Sequence, residues 1–387
     1  MKSTWTALAL VFSCCIGLAE ESGLPGTKPL ETKGDLSVQM VSGISKFLDA
    51  ETARSIEARK KHWHYDFTSK TNYEASVDGN RDRFRKIIGA VDARFAVREL
   101  EFISGSKTSA TVAETKDFTI FAVRWPVFEN VDGEGLWIKP KRPPVAQVVA
   151  IPDADQTPEM LMGLAPGIKD EAQFARRLAE NGCEVLIPTL VSRSDTWSGN
   201  PKINRFTNQP HREWIYRQAY EMGRHIIGYE VQKVLAAVDF FRSEPGTIKG
   251  SIGVAGYGEG GLLALYAAAL DKRIDGVLVS GYFGSRQRVW EEPIYRNVFG
   301  LLEEFGDAEI ASLTTPRRLV VEYSLAPSIS GPPPPHDGRA GAAPGKIATS
   351  DFEAVSNEVN RLKVLLQAGN GFTSGVRLID DEGTAIG

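Results

Sequence analysis

The stretch from Ser251 to Leu270 has the residue types of a turn that presents a catalytic side chain. A short apolar run, residues 252–255, leads into a glycine-rich turn, and residues 262–270 are rich in Ala and Leu. The turn consists of Gly256, Tyr257, Gly258, Glu259, Gly260 and Gly261. A strand, a sharp turn between small residues and a buried helix is an arrangement that exposes a nucleophile. The apex, where Ser, Cys or Asp is expected, is Gly258, so we predict that the turn forms without an attacking atom.

Glu259 is the carboxylate next to this apex. One interpretation makes it a general base that activates water. The other makes it a solvent-exposed carboxylate whose charge complements the positive end of the following helix. We expect the second arrangement.

Alternating strands and helices must position the turn. Hydrophobic periodicity predicts helices over residues 37–62 and 79–91, then two antiparallel strands over 118–125 and 135–139. Further strands are predicted over residues 145–151, 184–190, 252–255, 274–280, 318–323 and 376–379, and further helices over residues 171–181, 220–241, 262–270 and 350–368. The fold class is therefore α/β, with a mostly parallel sheet, helices on both faces and an N-terminal helical extension.

The start of the chain indicates a cleaved targeting peptide, and its end indicates that a closing helix is missing. Residues 1–19 have a lysine, an apolar run and a small-x-small ending, which predict a signal peptide and a secreted or periplasmic protein. A membrane anchor or lipidation at Cys14 is the alternative; the apolar run is short for a span. We expect a leader and helical extension over 20–97 and one α/β domain over 98–387. No closing helix follows the last predicted strand, so we expect a fragment of a longer protein.

Composition narrows the possible functions. The formal net charge is −4 and no basic block stands out, which gives little support to nucleic-acid binding. Removal of the signal peptide would leave Cys183 as the one cysteine. We therefore expect no internal disulfide, no cysteine-based metal site and no cofactor.

The order of these elements, with the glycine-rich turn after the fifth strand of the domain, resembles the α/β-hydrolase superfamily. More narrowly, it is similar to secreted acetylxylan-esterase and dienelactone-hydrolase-like proteins. The resemblance covers about residues 100–387. It implies a sheet of that fold and an activity on acetylated polysaccharide or small esters.

The catalytic residues that the resemblance implies are missing from their places. The nucleophile falls on Gly258. The acid would follow Tyr323, where residues 324–330 hold no carboxylate and Glu322 is nearest. The histidine would follow the last strand, where residues 380–387 hold none. Backbone N–H groups of Glu259 and near Asp153 remain as candidate oxyanion donors.

Other candidates come from loops after strands. His336 is the most plausible displaced catalytic histidine, although a structural role is expected. Asp153, Asp155 and Glu159 follow a strand and are oxygen ligands that a hard cation accepts, but their spacing matches no known loop, and we predict no metal. The pocket candidates, which offer aromatic faces or a cation for a sugar or an acid, are Trp197, Tyr282, Phe283 and Arg286.

Three functional hypotheses follow. The favoured one is a catalytically degenerate hydrolase that binds a glycan or acts as a partner for a further domain. The second is an active carboxylic-ester hydrolase that uses non-standard residues, Glu259 foremost. The third places the active site in sequence beyond Gly387.

Overall fold

The computed structural model describes residues 26–28, 31–105, 109–243 and 251–380. The predicted signal peptide and the last seven residues lie outside these ranges. The chain divides into two compact units between Glu51 and Thr52. In the first unit, exposed apolar side chains lie along a helix; they are Val38, Met40, Val41, Ile44, Phe47 and Leu48.

The strands and helices follow the predicted alternation. The strands are β1 Glu101–Phe102, β2 Thr111–Glu114, β3 Phe118–Phe128, β4 Val131–Pro140, β5 Gln147–Ile151, β6 Glu184–Pro188, β7 Gly199–Asn200, β8 Arg205–Phe206, β9 Ile252–Tyr257, β10 Gly276–Ser280, β11 Arg318–Glu322, β12 Ile329–Gly331, β13 Gly345–Ile347 and β14 Val376–Ile379. The α-helices are α1 Leu36–Ala58, α2 Lys70–Ser76, α3 Asp78–Ile87, α4 Pro158–Leu161, α5 Phe174–Glu180, α6 His211–Tyr220, α7 Ile226–Ser243, α8 Glu259–Leu270, α9 Leu301–Glu304, α10 Asp307–Ser312 and α11 Phe352–Leu366.

The main sheet is mostly parallel, as predicted. Its strands lie in the order β1-β3-β4-β6-β5-β9-β10-β11-β14, and β2 also pairs with β3. β4 is antiparallel to both β3 and β6, whereas the pairs from β6 to β14 are parallel. The ends of β5, β6, β9, β10, β11 and β14 therefore meet at one side of the sheet, here called the carboxyl edge. Ligands of open α/β sheets bind at this edge.

α8 is the most buried helix next to the sheet. All twelve of its residues are buried, which its Ala- and Leu-rich sequence predicted. The segment before β1 packs into the same core through Trp63, Tyr73, Phe84 and Ile88. None of the helices in the described part of the chain combines the length and the apolar character that a membrane crossing requires.

One prediction about a single element was wrong. The helix predicted over residues 220–241 begins only at Ile226, because α6, which was not predicted, ends at Tyr220 and Gly223 then takes a positive φ of 63° before α7. The long segment between β11 and α11 contains the antiparallel pair β12–β13. It also bonds to the segment after β6: the Asn208 side chain donates to the Pro333 carbonyl.

Close packing of α8 on the sheet predicts a large effect at Gly260. A Cβ there would overlap the Ile151 carbonyl oxygen and lie 2.5 Å from that of Pro152. We expect Gly260→Ala to lower the free energy of unfolding by about 3 kcal/mol or more, measured by urea denaturation. The matched control is Gly79→Ala in α3, where the nearest atom is the flexible end of Arg83 at 3.4 Å. That change should be neutral or stabilise by up to about 1 kcal/mol. Equal effects of the two substitutions would contradict the packing described.

Candidate functional site

The turn between β9 and α8 has the backbone of a catalytic elbow. β9 ends at Tyr257, α8 begins at Glu259, and Gly258 between them has φ 58° and ψ −115°. This conformation is strained for any residue with a side chain, and glycine adopts it without that cost. A strand, a sharp turn and a helix therefore occur where the sequence predicted them.

The space above Gly258 is occupied by other parts of the chain. A Cβ at this position would lie 2.6 Å from Oδ1 of Asp153 and 2.6 Å from Cγ of Pro327. Asp153 follows β5 and Pro327 follows β11, so both reach the apex from the carboxyl edge. A nucleophilic side chain at the apex would require both groups to move.

The two backbone donors proposed for an oxyanion are engaged inside the protein. The Glu259 N–H donates to Oδ1 of Asp153 at 2.9 Å. The Asp153 N–H donates to Oε1 of Gln156 at 3.1 Å. An oxyanion hole requires donors aimed at the reacting oxygen of a substrate. Here an internal carboxylate oxygen takes the elbow donor instead.

Glu259 is fully buried, which corrects the expectation that its carboxylate faces solvent. Three guanidinium groups surround it. Arg296 donates through Nε at 3.0 Å to Oε2, and Arg212 donates through Nη2 at 3.1 Å to Oε1. Arg193 approaches Oε2 at 3.4 Å. The physical reason is that α8 is buried on all sides, and a buried carboxylate persists only when cations and hydrogen bonds compensate its charge.

This environment keeps Glu259 ionised. Burial raises the pKa of its carboxyl, but the charges of Arg296, Arg212 and Arg193 outweigh it and lower the pKa to about 2. A general base works best when its pKa lies near the operating pH. Both carboxylate oxygens are bonded to arginines and no surface of the side chain reaches water, so this carboxylate is a poor activator of water.

Asp153 and Asp155 are bound to Arg193. Arg193 donates to both oxygens of Asp153, at 2.5 and 3.0 Å, and to Oδ2 of Asp155 at 3.0 Å. Burial raises the pKa of Asp153, but these bonds and charges lower it below its usual value. Two of the three acids considered as cation ligands, Asp153 and Asp155, thus neutralise an arginine. No cluster of three metal-ligating side chains occurs in the part of the chain that the structure describes.

The pocket predicted near Tyr282 is very small. Tyr282, Phe283 and Arg286 are buried, and Arg286 donates to Glu292 at 2.9 Å and lies 5.0 Å from the Tyr282 ring. With Glu322 they line a cavity of about 30 Å³, which has room for little more than a water molecule. Trp197 is elsewhere, with 70% of its surface exposed.

His336 is held between two acids. Its Nε2 lies 2.6 Å from Oδ2 of Asp195, and its Nδ1 lies 3.1 Å from Oδ2 of Asp337. Hydrogen bonds of the imidazole to the carboxylates of Asp195 and Asp337 raise its pKa. Neither ring nitrogen remains to accept a proton from a nucleophile in this arrangement.

A serine–histidine contact occurs away from the elbow. His211 Nδ1 lies 3.2 Å from Ser192 Oγ, and its Nε2 accepts the Trp197 N–H at 2.9 Å. An uncharged imidazole that accepts at Nε2 carries its proton on Nδ1 and donates to the serine. This is the reverse of the proton flow that activates a serine. Sequence reasoning had not singled out this pair.

Sequence reasoning also missed Arg193, Arg212, Arg296 and Pro327. One signal was present: a glutamate in the first turn of a helix that is apolar on every face has to be buried, and a buried carboxylate needs cations. The partners themselves come from segments far apart in sequence. Their assembly is a property of the folded sheet edge.

A protein-family model matches the central part of the chain. Residues 134–297 match the Dienelactone hydrolase family. This range begins in β4 and contains the elbow, Asp153 and the three arginines. No curated protein sequence shows a significant match to the chain.

Solved structures show the same fold. A Bacteroides fragilis protein assigned as an acetyl xylan esterase aligns with a TM-score of 0.55 at 14% identity, over 82% of this chain and 77% of its own. The glucuronoyl esterase from Solibacter usitatus aligns with a TM-score of 0.50 at 14% identity, over 81% of this chain and 88% of its own. The expected fold is confirmed: the chain has the α/β-hydrolase fold, and its residues 134–297 are similar to the Dienelactone hydrolase family.

The ion pairs of Glu259 predict a specific effect on stability. Glu259→Gln leaves three buried arginines without their shared counter-charge, so we expect the free energy of unfolding at pH 7 to fall by about 3 kcal/mol. Glu291→Gln is the control, because its partner Arg288 is 80% exposed and such pairs contribute less than about 1 kcal/mol. Chemical denaturation measures both. A loss below about 1 kcal/mol in Glu259→Gln would contradict the network.

The difference in the free energy of unfolding between wild type and Glu259→Gln should depend on pH. The pKa of Glu259 is depressed from 4.5 to about 2 in the folded chain. The stabilisation is therefore complete above pH 4.5 and is lost as the pH falls through about 2. The gap between wild type and Glu259→Gln should narrow over that range.

Proposed function

We propose that this protein is a catalytically degenerate α/β-hydrolase, which does not hydrolyse esters and acts by binding. The observation that carries the proposal is the Asp153 carboxylate oxygen, 2.9 Å from the Glu259 N–H. In a working elbow, this donor stabilises the charge that develops on the substrate. Here a permanent negative charge of the protein takes that place.

The other requirements of ester hydrolysis support the same proposal. Nucleophilic catalysis needs an attacking atom, a base within hydrogen-bond reach and a vacant space for the reacting carbonyl. Gly258 supplies no attacking atom, His336 is engaged by two acids, and Pro327 stands where the nucleophile's side chain would be. The alternative, a carboxylate mechanism through Glu259, requires a low-pKa, water-excluded side chain to act as a base.

Hydrolysis of 4-nitrophenyl acetate by the purified chain tests catalytic degeneracy. We expect no rate above the buffer background for wild type, Glu259→Gln or the control Glu291→Gln. Gly258→Ser should stay inactive, because the new hydroxyl has no base and Asp153 holds the oxyanion donor. Wild-type hydrolysis that falls tenfold or more in Glu259→Gln alone would establish the carboxylate mechanism. Activity gained by Gly258→Ser would contradict the occupied oxyanion site.

The binding role is supported by exposed indole rings at the carboxyl edge. Trp197 follows β6 and is 70% exposed, and Trp290 follows β10 and is 64% exposed. Large exposed aromatic side chains have an apolar face and a polar N–H, which suits recognition of sugar rings. One of the compared structures is named as an acetyl xylan esterase and the other as a glucuronoyl esterase. We therefore propose an acetylated polysaccharide as the ligand.

The proposed location is the extracellular space or the periplasm. Residues 1–19 combine the lysine, the apolar run and the small-x-small ending of a signal peptide. A secreted or periplasmic protein meets polysaccharide there.

Affinity electrophoresis in gels containing acetylated xylan tests the glycan. We expect retardation of wild type, with the dissociation constant raised about tenfold or more in Trp197→Ala or Trp290→Ala. Phe102→Ala is the control, since Phe102 is also exposed but lies on β1, which β3 and β4 separate from the parallel strands. Absence of retardation, or an equal loss in Phe102→Ala, would contradict the assigned ligand or surface.

A further inference from the structure

A larger cavity lies at the carboxyl edge, outside the elbow network. Its volume is about 500 Å³, within the range of small-molecule sites. Val131 begins β4, Val191 follows β6, and Ile226 begins α7; these three supply part of its wall. Because β4 runs antiparallel to β6, with Gly135 opposite Pro188, the start of β4 reaches the carboxyl edge. We call this space the lateral cavity.

The lateral cavity is apolar with a cationic part. α6 contributes Ile215 and Ala219, and its polar lining includes Arg224, Tyr229 and Lys233. No acidic side chain lines it among the residues that the structure describes. An apolar wall with a few polar groups on one side is the usual composition of a small-molecule site.

Two of these polar groups have hydrogen-bonding capacity left. Among the described residues, the ion-pair partner of Lys233 Nζ is Oε2 of Glu230 at 3.5 Å, and an ammonium has three donors. The Tyr229 hydroxyl has no hydrogen-bond partner in the described ranges, and it lies one helical turn before Lys233 on the same face of α7. Arg224 differs, because it donates to both oxygens of Asp92.

The partner of Lys233 is itself shared. Glu230 is fully buried, its Oε1 accepts the Val191 N–H at 2.8 Å, and Arg212 lies 3.7 Å from the same oxygen. Two cations thus approach one carboxylate. The ammonium of Lys233 can therefore take a second anion without leaving Glu230 unpaired.

We propose that the lateral cavity binds a small carboxylate with an apolar body, such as a medium-chain fatty acid. The carboxylate bonds to Lys233 and Tyr229, and the apolar body lies against the walls from β4, α6 and α7. This site is independent of ester hydrolysis and of the polysaccharide proposed above. The positive charge of the Lys233 ammonium selects the acid over a neutral analogue of equal length.

Isothermal titration calorimetry of the full chain with decanoate and with decanol tests the site. We expect one decanoate per chain, bound at least tenfold more tightly than decanol. Lys233→Met keeps the apolar stem and should weaken decanoate about tenfold while leaving decanol unchanged. The control is Lys139→Met, whose ammonium lies over the Trp137 ring in another groove; it should change neither.

Two further variants keep the test decisive if Lys233→Met is unstable. Tyr229→Phe removes one hydroxyl and should weaken decanoate at least threefold. Ala219→Phe fills the lateral cavity and should abolish binding of both ligands, with the fold checked by thermal unfolding. Equal affinities of wild type for decanoate and decanol, no saturable binding, or unchanged binding in Ala219→Phe would each overturn the proposal.

Discussion

One buried carboxylate organises the carboxyl edge of this sheet. Glu259 lies at the start of α8, and its three arginines come from the segment after β6, the start of α6 and the segment after β10. A carboxylate in this position without cations would carry a large desolvation penalty, and so would the arginines without it. The position of each segment therefore depends on the others. Asp153 joins the same network through Arg193 and connects it to the elbow backbone.

The network gives a familiar backbone turn different surroundings in this protein. The geometry of Gly258 is that of an apex that presents a nucleophile, yet the groups above it are a carboxylate and a proline ring. Donors that stabilise a transient negative charge in a hydrolase stabilise a permanent one in this protein. The remaining openings at the same edge are the exposed Trp197 and Trp290 and the lateral cavity. Binding at these places needs no contribution from the elbow.

Local patterns in the sequence were sufficient for most of the fold. Apolar runs bounded by turn residues identified eight strands of the main sheet, which are β3, β4, β5, β6, β9, β10, β11 and β14. The short strands β7, β8, β12 and β13 carry no such pattern, and the glycine-rich turn marked the connection between β9 and α8. The start of α7 was predicted too early because a single glycine, Gly223, is the only local interruption in an otherwise helical pattern before Ile226. Glu259 was expected in solvent because helix-dipole arguments are local, whereas its burial depends on Arg193, Arg212 and Arg296. Pro327 at the apex has no local signal, since only the folded β11 brings it there.

The hydrogen bond from the Glu259 N–H to Asp153 occupies the elbow donor, and amide hydrogen exchange measures this bond most directly. The first N–H groups of a helix have no partner within the helix, so protection at Glu259 reports on Asp153. NMR should show exchange of this amide slowed at least a thousandfold relative to an unstructured peptide, and at least a hundredfold faster exchange in Asp153→Ala. An amide that exchanges within tenfold of the unstructured rate in wild type would show a vacant oxyanion donor and contradict the account.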